Sequence, residues 1–352
     1  MASAVVRPHL RHGAGSQPGM NAVSHFLARQ TAYRQRYLAM GTTVSVTLVS
    51  NRRSRRDVEK VMSEVQQEII AFGREAWAWG PGALSRFNQQ LLAGVAADIP
   101  ASLKDLFDKA WAVREACDGQ FEPRIASLVR LWGFDDPARL RSAPPEAGEV
   151  EALMQGLRSA PAYDGGASYG PAPDIAWDFG AIGKGWIVDQ MLDRFARAGF
   201  PDATIDAGGH VGARGYRDGR PWRVGIRDPF EVGEQEYVLA SVQPGECSVV
   251  THGDEQRAFE HQGRRYSHLL DPATGWPVQG LRSLTVVHAD GALADAAGAA
   301  LFVAGPKHWP ALAHRLGLSR VLALTADGEA QVTPMLASEL AWKREMKIRV
   351  VA

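Results

Sequence analysis

The stretch WDFGAIGKGW, at residues 177–186, decides how the rest of the sequence is interpreted. A Walker A phosphate loop requires a glycine, four residues, a second glycine, a lysine, and then Ser or Thr. Counting back from Gly183 and Lys184, Asp178 stands where the first glycine should be, and Gly185 stands where the hydroxyl should be. The stretch is therefore not a Walker A loop. Backbone amides at a helix start can still hold an anion that Lys184 neutralises. A tight strand-to-helix turn with a solvated lysine explains the same residues equally well.

The composition is that of an ordinary globular protein. The chain has 352 residues, of which 45% are hydrophobic and 22% charged, and its formal net charge is zero. The balanced charge gives no reason to expect nucleic acid or an anionic membrane as a partner. No segment approaches the ~20 apolar residues of a membrane-spanning helix. The two cysteines, Cys117 and Cys247, cannot form a disulfide framework or a zinc cluster, and we expect both to be small buried apolar residues.

The first thirty residues differ in character from the rest of the chain. Arg, His, Gly and Pro are scattered through residues 1–30, and no apolar core of signal-peptide length interrupts them. We therefore expect a disordered leader over residues 1–30, with Met20 as an alternative start, and one domain over residues 31–352. The expected location is cytoplasmic.

Hydrophobic periodicity predicts a mixture of strands and helices. Alternating Val and Leu predict a strand over residues 39–50, and apolar residues at three- and four-residue spacing predict a helix over 55–75. The further expected elements are helices over 101–117, 148–158, 183–199, 292–304 and 306–316, and strands at ATIDAGG, WRVGIRDP, YVLASVQP, CSVVTHG, SLTVVHAD and 319–325. Because these elements do not alternate as regular βαβ units, we predict an α+β fold instead of a doubly wound sheet.

Two further segments join glycines or a histidine to the ends of predicted strands. In TIDAGGHVGARG (204–215), Gly208 and Gly209 permit close approach to a ligand, although a simple hairpin is the commoner explanation. In THGDEQRAFEHQGRRYSHLLDPATGWPV (251–278), His268 is a candidate proton acceptor, although a single histidine is more often structural.

A fourth segment, HADGALADAAGAALFVAG (288–305), sets Asp295 among small residues near the start of an apolar helix. A buried carboxylate is costly unless it is paired or binds a metal. The alternative is that Asp295 only complements the charge of the helix N-terminus, a contribution of about 0.3–1 kcal/mol.

Taken in order, these segments resemble one family, the ApbE-like FAD:protein FMN transferases (flavin transferases). The resemblance runs from about Tyr37 to Val303. It is carried by MGTTVSVTL, GALSRFN, GQFEPRIASLVRLWGF, WDFGAIGKGWIVD, IDAGGHVGARG, HLLDPATGWPV and LADAAGAALFVAG. It implies a single large α+β domain of the T-fold-like flavin transferase architecture, in which WDFGAIGKGW is the glycine loop of the flavin site.

The resemblance also implies an activity and a set of site residues. Such enzymes move the FMN moiety of FAD to a Thr or Ser hydroxyl of a client protein and release AMP, with Mg²⁺ at the pyrophosphate. By position, the implied FAD contacts are Met40, Trp79, Phe121, Glu122, Asp178, Lys184 and Leu269. The implied metal site consists of the Ala181 carbonyl, the Asp295 carboxylate and the position of Ala299, and His268 has the implied catalytic role near the attacked phosphate.

Several residues depart from the family pattern, and they cluster in the metal half of the site. The family pattern Asp-Ala-x-x-Thr-Ala reads DAAGAA here, so Ala299 replaces a hydroxyl ligand and Gly298 supplies no side chain. The other departures are His252 for Ser, Glu255 for Tyr, His210 for Asp, Asp206 for Asn and Glu122 for Asp. They leave two alternatives to an active transferase: an FAD pyrophosphatase that uses water as the acceptor, and a catalytically weakened FAD-binding protein.

Overall fold

A computed structural model describes residues 4–5, 31–50, 53–136, 138, 140–231, 237–255 and 257–351. The predicted disordered leader lies outside the described residues except for Ala4–Val5, which form a short strand. The helices are α1 Arg55–Glu75, α2 Ala83–Leu92, α3 Lys104–Ala116, α4 Ala126–Leu131, α5 Ala147–Ser159, α6 Gly183–Arg197, α7 Gly291–Arg315 and α8 Pro334–Glu339, with a 3₁₀ turn at Ala101–Leu103 before α3. None of the helices in the described part of the chain is long and apolar enough to cross a bilayer.

The strands divide between one large sheet and several small ones. They are β1 Ala4–Val5, β2 Thr31–Ala39, β3 Thr42–Ser50, β4 Ala97–Asp98, β5 Ser168–Tyr169, β6 Ala203–Ala207, β7 His210–Arg214, β8 Tyr216–Arg217, β9 Arg220–Pro221, β10 Val224–Arg227, β11 Val238–Val242, β12 Ser248–Gly253, β13 Ala258–His261, β14 Arg264–Ser267, β15 Leu281–His288, β16 Val321–Thr325, β17 Glu329–Val332, β18 Ala341–Trp342 and β19 Lys347–Val350. The large sheet has ten strands in the order β1-β19-β17-β16-β15-β12-β7-β6-β3-β2. Its neighbours are antiparallel apart from the parallel pair of β17 and β19. The predicted α+β class is confirmed.

Most predicted elements are present close to their expected bounds, but the strand predicted over residues 39–50 is wrong at its start. Ala39 ends β2 and Thr42 begins β3, and these two residues pair across a two-residue turn. The turn residues Met40 and Gly41 have φ values of 53° and 71°. Positive φ at both central positions defines a hairpin turn that matches the twist of its strands. Methionine is uncommon in this conformation, so the residue type at position 40 did not predict a turn.

The predicted pair of C-terminal helices is confirmed as two halves of α7. Gly305 interrupts the helix with φ 71° and ψ 177°, and Pro306 follows it. In contrast, α2 and α4 were not predicted. Of the two cysteines, Cys117 is buried as expected, whereas Cys247 is only half-buried; both are free thiols.

The large sheet is covered on both faces, as alternate residues of its central strands demonstrate. Val250 and Val286 pack into the helical core that contains α2, α3 and α7. Their neighbours Val249 and Val287 pack on the opposite face, together with β10, β11 and α8. At the β3–β6 end, α1 and α6 cover the first face with a separate apolar cluster. Side chains that point in opposite directions along one strand thus belong to different cores.

The N-terminal turns of α6 and α7 meet at a backbone contact. The N–H of Gly185 in α6 donates to Asp295 Oδ2 of α7 at 3.1 Å, and the N–H of Gly291 in α7 donates to Asp189 Oδ2 of α6 at 2.7 Å. Each helix therefore accepts a carboxylate from the other at its first turn, where helical N–H groups lack partners. A Cβ at Gly185 would lie 2.2 Å from the Gly291 carbonyl oxygen, so this contact requires glycine.

We predict that Gly185→Ala destabilises the protein by about 1–3 kcal/mol, because a methyl group against a backbone carbonyl must push the two helices apart. Urea unfolding followed by circular dichroism measures this loss. The control is Gly148→Ala in α5, where an added Cβ meets no atom within 4 Å. This control should be unchanged or more stable by up to about 1 kcal/mol. Equal urea midpoints for the two variants would contradict the steric argument.

Candidate functional site

A cleft of about 660 Å³ opens where the β2–β3 turn, the β6–β7 turn and the N-terminal parts of α6 and α7 meet the helical core. The structure brings every residue of the predicted site to the wall of this one cleft. They are Met40, Trp79, Phe121, Glu122, Asp178, Ala181, Lys184, His268, Leu269, Asp295 and Ala299. Their roles toward FAD or a metal remain predictions, whereas their proximity is a property of the fold.

One side of the cleft is apolar. Phe121 and Leu269 are buried, and Trp79 is half-buried at the edge of the helical core. Met40 is held in its turn against α1, where a Cβ at Gly73 would come within 2.9 Å of Met40 Cγ. Ligand sites combine such apolar surface with a few polar groups that fix the orientation of the ligand. This side suits a flat, largely apolar ring system.

The stretch WDFGAIGKGW lies between the helical core and the cleft. Trp177 is fully buried in the core, where its backbone N–H and carbonyl are bound by the side-chain amide of Asn88. Next in sequence, Asp178 accepts the Gly180 N–H at 3.1 Å, and Lys184 Nζ donates to the Gly180 carbonyl at 2.9 Å. Burial raises the pKa of Asp178. Within this stretch, Trp177 thus packs in the core, whereas Asp178 and Lys184 line the cleft.

Glu122 lines the cleft, but both oxygens of its carboxylate already accept hydrogen bonds from arginine side chains. Arg124 binds it with two hydrogen bonds of 2.8 Å, and Arg114 Nε donates to Oε2 at 2.7 Å. Both guanidinium groups also stack on the Trp111 ring, with centroid distances of 4.6 and 4.8 Å. Burial acts to raise the pKa of Glu122, but the hydrogen bonds from both arginines more than offset it, and the pKa lies below its ordinary value. Glu122 therefore shapes the cleft wall through a buried ion-pair network.

Asp295 is the other buried carboxylate, and its surroundings differ. Its Oδ2 accepts the Gly185 N–H, and Oδ1 has no hydrogen-bond partner among the described residues. His210 Nδ1 lies 3.9 Å from Oδ2, and His252 Nε2 lies 3.7 Å from Oδ1. Burial acts to raise the pKa of Asp295, but Lys184 and the neighbouring imidazoles outweigh it, so the pKa is below its ordinary value. Asp295 is an ionised carboxylate with an unused oxygen at the cleft.

His252 and Gly298 form one packing unit. A Cβ at Gly298 would lie 2.7 Å from His252 Cδ2 and 2.8 Å from Nε2, so the imidazole occupies the space that a side chain at 298 would need. His252 Nε2 donates to the backbone carbonyl oxygen of Asp295 at 2.8 Å. Because a nitrogen that donates this bond has no lone pair for a metal, Nε2 of His252 is not a ligand in this arrangement. Among the described residues, no group of three or more His, Cys, Asp and Glu could hold a metal ion.

His268 lines the cleft with an unpartnered ring nitrogen. Its Nδ1 is buried and has no hydrogen-bond partner in the described part of the chain, while its backbone N–H donates to the Arg257 carbonyl at 2.9 Å. Burial, together with the charge of Arg257, lowers the pKa of His268 to about 4. The imidazole is therefore neutral at pH 7 and able to accept a proton.

Arg257 was missed by the sequence analysis. It lines the cleft, and its Nη1 donates to the Phe134 carbonyl at 3.0 Å. The structure records no carboxylate partner for it among the described residues. Nearby Arg265, in contrast, pairs with Asp254 and Glu260. The two arginines look alike in the sequence, and only the tertiary contacts distinguish the one that faces the cleft.

Comparison with known proteins assigns the chain to a family. A model of the ApbE family matches residues 40–322. The chain belongs to the ApbE family. It is 36% identical over 273 residues to an FAD:protein FMN transferase of Rhodobacter capsulatus, a match that covers 76% of this chain and 51% of that protein. The chain thus spans about half the length of that relative. A Vibrio cholerae protein of the same name is 28% identical, with 78% of this chain and 82% of that protein covered.

The fold agrees with the family assignment. The crystal structure of the ApbE protein from Thermotoga maritima superposes with a TM-score of 0.78 at 24% identity, covering 88% of this chain and 99% of that one. Both the family resemblance and the predicted flavin transferase architecture are confirmed. The ApbE family match also ends close to the start of β16, so α7 and the residues that surround Asp295 lie within it.

We predict that Glu122→Gln destabilises the protein by about 3–5 kcal/mol, because the substitution leaves two arginines without their carboxylate in a buried network. Thermal and urea unfolding measure this loss. Glu151→Gln is the matched control, since Glu151 forms an exposed ion pair with Arg158. Such a pair contributes about 0–1 kcal/mol. If both variants unfold at the same urea concentration, Glu122 has no structural role and is available as a direct ligand contact.

Proposed function

We propose that this chain transfers the FMN moiety of FAD to a Thr or Ser hydroxyl of a client protein and releases AMP. The proposal is carried by one observation: a single cleft joins an apolar side to a group of polar residues that contains Lys184, His268 and Asp295. Curated relatives over most of this chain are named FAD:protein FMN transferases, which supports the same activity. A cytoplasmic location stays a prediction.

In this proposal the flavin ring lies on the apolar side of the cleft. Met40, Trp79, Phe121 and Leu269 form that surface, and Asp178 lies where it can accept a hydrogen bond from the polar edge of the ring. Glu122 contributes indirectly, since its carboxylate is held by two arginines. The pyrophosphate lies toward the N-terminus of α6, where Lys184 and the cation missed in the sequence, Arg257, neutralise its charge.

The transfer is a single phosphoryl substitution, which needs a nucleophile, a proton acceptor and a leaving group. The hydroxyl oxygen of the client attacks the phosphorus of the FMN half, a P–O bond forms, and the P–O bond to the AMP phosphate breaks. The hydroxyl proton passes to the neutral imidazole of His268, and AMP departs with the electron pair of the broken bond. Positioning and charge neutralisation supply most of the rate enhancement in such reactions.

The predicted use of Mg²⁺ remains a proposal, and the residues present fit it poorly. Mg²⁺ takes an octahedral shell of oxygen atoms, several of them from water and substrate phosphate. The unpartnered Oδ1 of Asp295 supports a cation in the cleft, as would the Ala181 carbonyl. Ala299, however, has no oxygen to offer, and the groups beside Asp295 are the imidazoles of His210 and His252. No step of the transfer is therefore assigned to Mg²⁺.

Incubation of the purified chain with FAD, a divalent cation and a candidate acceptor protein from its gene neighbourhood tests the activity. We expect fluorescent flavin bound covalently to the acceptor, with one AMP released per flavin transferred. Flavin fluorescence after denaturing electrophoresis and chromatography of the nucleotides measure the two products. AMP and FMN without covalent flavin would indicate an FAD pyrophosphatase. Intact FAD that remains bound would indicate a catalytically weakened FAD-binding protein.

The pH dependence of the reaction tests the role of His268. Because its pKa is lowered to about 4, the imidazole is in its proton-accepting form throughout pH 5–8 and becomes protonated only below that range. We predict that kcat/KM falls on the acidic side with an apparent pKa near 4, well below the ordinary value of about 6.5 for histidine.

The matching variant is His268→Ala, which should lower kcat by about 10²–10⁴-fold and abolish this acidic limb. FAD affinity should change much less, because the proposed role lies in proton transfer. His261→Ala, at the half-buried end of β13 and outside the residues that line the cleft, is the control. Wild-type turnover in His268→Ala, or an acidic limb near pH 6.5, would remove His268 from the proposed step.

A further inference from the structure

Strand β2 is an outer edge of the ten-stranded sheet. It comes last in the strand order and, among the described residues, it pairs with β3 alone. All nine residues of β2 are in register with β3 without a bulge, and β2 contains no proline. A long, regular edge strand can pair with a strand of another chain, and proteins usually shorten or distort the edges that they do not use. The free edge of β2 is therefore a surface on which an extended segment can pair.

The register shows which backbone groups of β2 face the free edge. Ala39 and Thr42 close a two-residue turn, so they exchange hydrogen bonds, as does every second pair along the hairpin. The pairs between them direct their N–H and C=O groups away from each other. Val49, which forms such a pair with Ala32, confirms this phase, because its N–H donates to the Asp202 carbonyl just before β6 at 2.9 Å. The outward residues of β2 are therefore Ala32, Arg34, Arg36 and Leu38.

The side chains of three outward residues give this edge its chemical character. Arg34, Arg36 and Leu38 lie on one face of the strand, because successive residues point to opposite faces, and all three are exposed. Neither arginine forms an ion pair with a described residue, and Arg36 Nε donates to the Ser45 hydroxyl at 3.2 Å. Leu38 is 79% exposed, more than any other large hydrophobic side chain in the described part of the chain. Two positive charges and then an apolar group thus follow one another toward the C-terminal end of β2.

The C-terminal end of β2 leads into the cleft. Ala39, Met40 and Gly41 come directly after Leu38, and all three line the cleft. An extended segment advances by about 3.3 Å per residue. A segment paired with residues 34–38 would therefore reach the cleft about two or three residues further on. Pairing on β2 would hold a hydroxyl-bearing residue of another protein at the mouth of the cleft.

We propose that the client protein docks by adding an extended segment to the free edge of β2, with acidic side chains opposite Arg34 and Arg36 and an apolar side chain opposite Leu38. The identity of this partner rests on the proposed function. Opposite charges on neighbouring strands stabilise their pairing, whereas like charges oppose it. A second copy of this chain is a poorer occupant, since pairing of β2 with itself brings arginines together. In such strand addition, main-chain hydrogen bonds supply affinity and alternate side chains supply specificity.

The probe for this surface is a short synthetic peptide, blocked at both ends. It has glutamates at its first and third positions, leucine at the fifth and threonine at the seventh, with valines and a glycine between them. The reversed sequence tests the opposite strand direction. A third peptide, with lysines in place of the glutamates, has the wrong charge. Each peptide is added to the full chain in the absence of FAD.

Hydrogen exchange resolved to single residues tests the pairing on β2. In the free chain we expect slow exchange at Tyr33, Gln35 and Tyr37, whose N–H groups bond to β3, and fast exchange at the outward residues. When nine-tenths of the chain is bound to the glutamate peptide or to its reversed sequence, exchange at the outward residues should slow by about tenfold, because only the free fraction exchanges. Exchange at the other three residues should not change.

An exchange of charge tests the proposed side-chain contacts. In Arg36→Glu we expect the glutamate peptide to bind about tenfold more weakly and the lysine peptide to bind more tightly than to the native chain. Arg264→Glu is the matched control, since Arg264 is exposed at the tip of the β13–β14 hairpin, and it should bind both peptides as the native chain does. Fluorescence anisotropy of labelled peptides at low salt measures the affinities, because salt screens exposed charges. Circular dichroism verifies that each variant is folded.

Several outcomes would overturn the proposal. Slow exchange of the outward residues in the free chain at every protein concentration would mean that the chain itself covers this edge. Slowing that grows with protein concentration would place a second copy there. Failure of both glutamate peptides to bind, binding that leaves the outward residues unchanged, or equal affinity of Arg36→Glu for the glutamate and lysine peptides would also contradict it. None of these measurements requires flavin transfer, so the docking surface and the proposed function fail separately.

Discussion

The contact between Gly185 and the Gly291 carbonyl fixes the site, because it brings the first turns of two helices to backbone distance. Each helix then gives a carboxylate to the other, through Asp189 and Asp295. One residue before Gly185, Lys184 faces the cleft from α6, and Asp295 faces it from α7. The cation and the carboxylate therefore keep their relative positions without a direct bond between them. Glycine is required at the contact for a steric reason, and the chemistry of the cleft depends on it.

Two buried carboxylates on the cleft wall, those of Glu122 and Asp295, differ in their hydrogen-bond partners. This difference separates a carboxylate with a structural role from one that is free to bind a ligand. Glu122 is neutralised by Arg114 and Arg124 and uses both oxygens, so its burial is balanced within the protein. Asp295 has one backbone donor and two imidazoles beyond hydrogen-bonding distance of its carboxylate oxygens, which leaves Oδ1 without a partner in the described structure. A buried carboxylate that is only partly satisfied is the one able to interact strongly with a ligand. The sequence gives no means of telling these two carboxylates apart.

Local patterns predicted the elements well, and the tertiary contacts explain what they missed. The helix over residues 55–75 follows from apolar spacing alone. The turn at Met40 does not, because a methionine with positive φ is held there by its surroundings, including Gly73. The motifs also identified residues that converge on one cleft, since motif glycines and charges lie at the ends of strands and helices. Arg257 was missed because its position at the cleft depends on a tertiary contact with the Phe134 carbonyl, 123 residues away in the sequence.

The residues expected to depart from the family pattern, at positions 252, 298 and 299, lie around one carboxylate, and the first two are physically coupled. A histidine at 252 fits only because Gly298 has no side chain, and its Nε2 is used by the Asp295 carbonyl. His210 approaches the same carboxylate from β7, the strand that pairs with β12. His252 and Gly298 therefore depend on each other beside Asp295, so neither residue can be changed alone without disturbing the packing around this carboxylate.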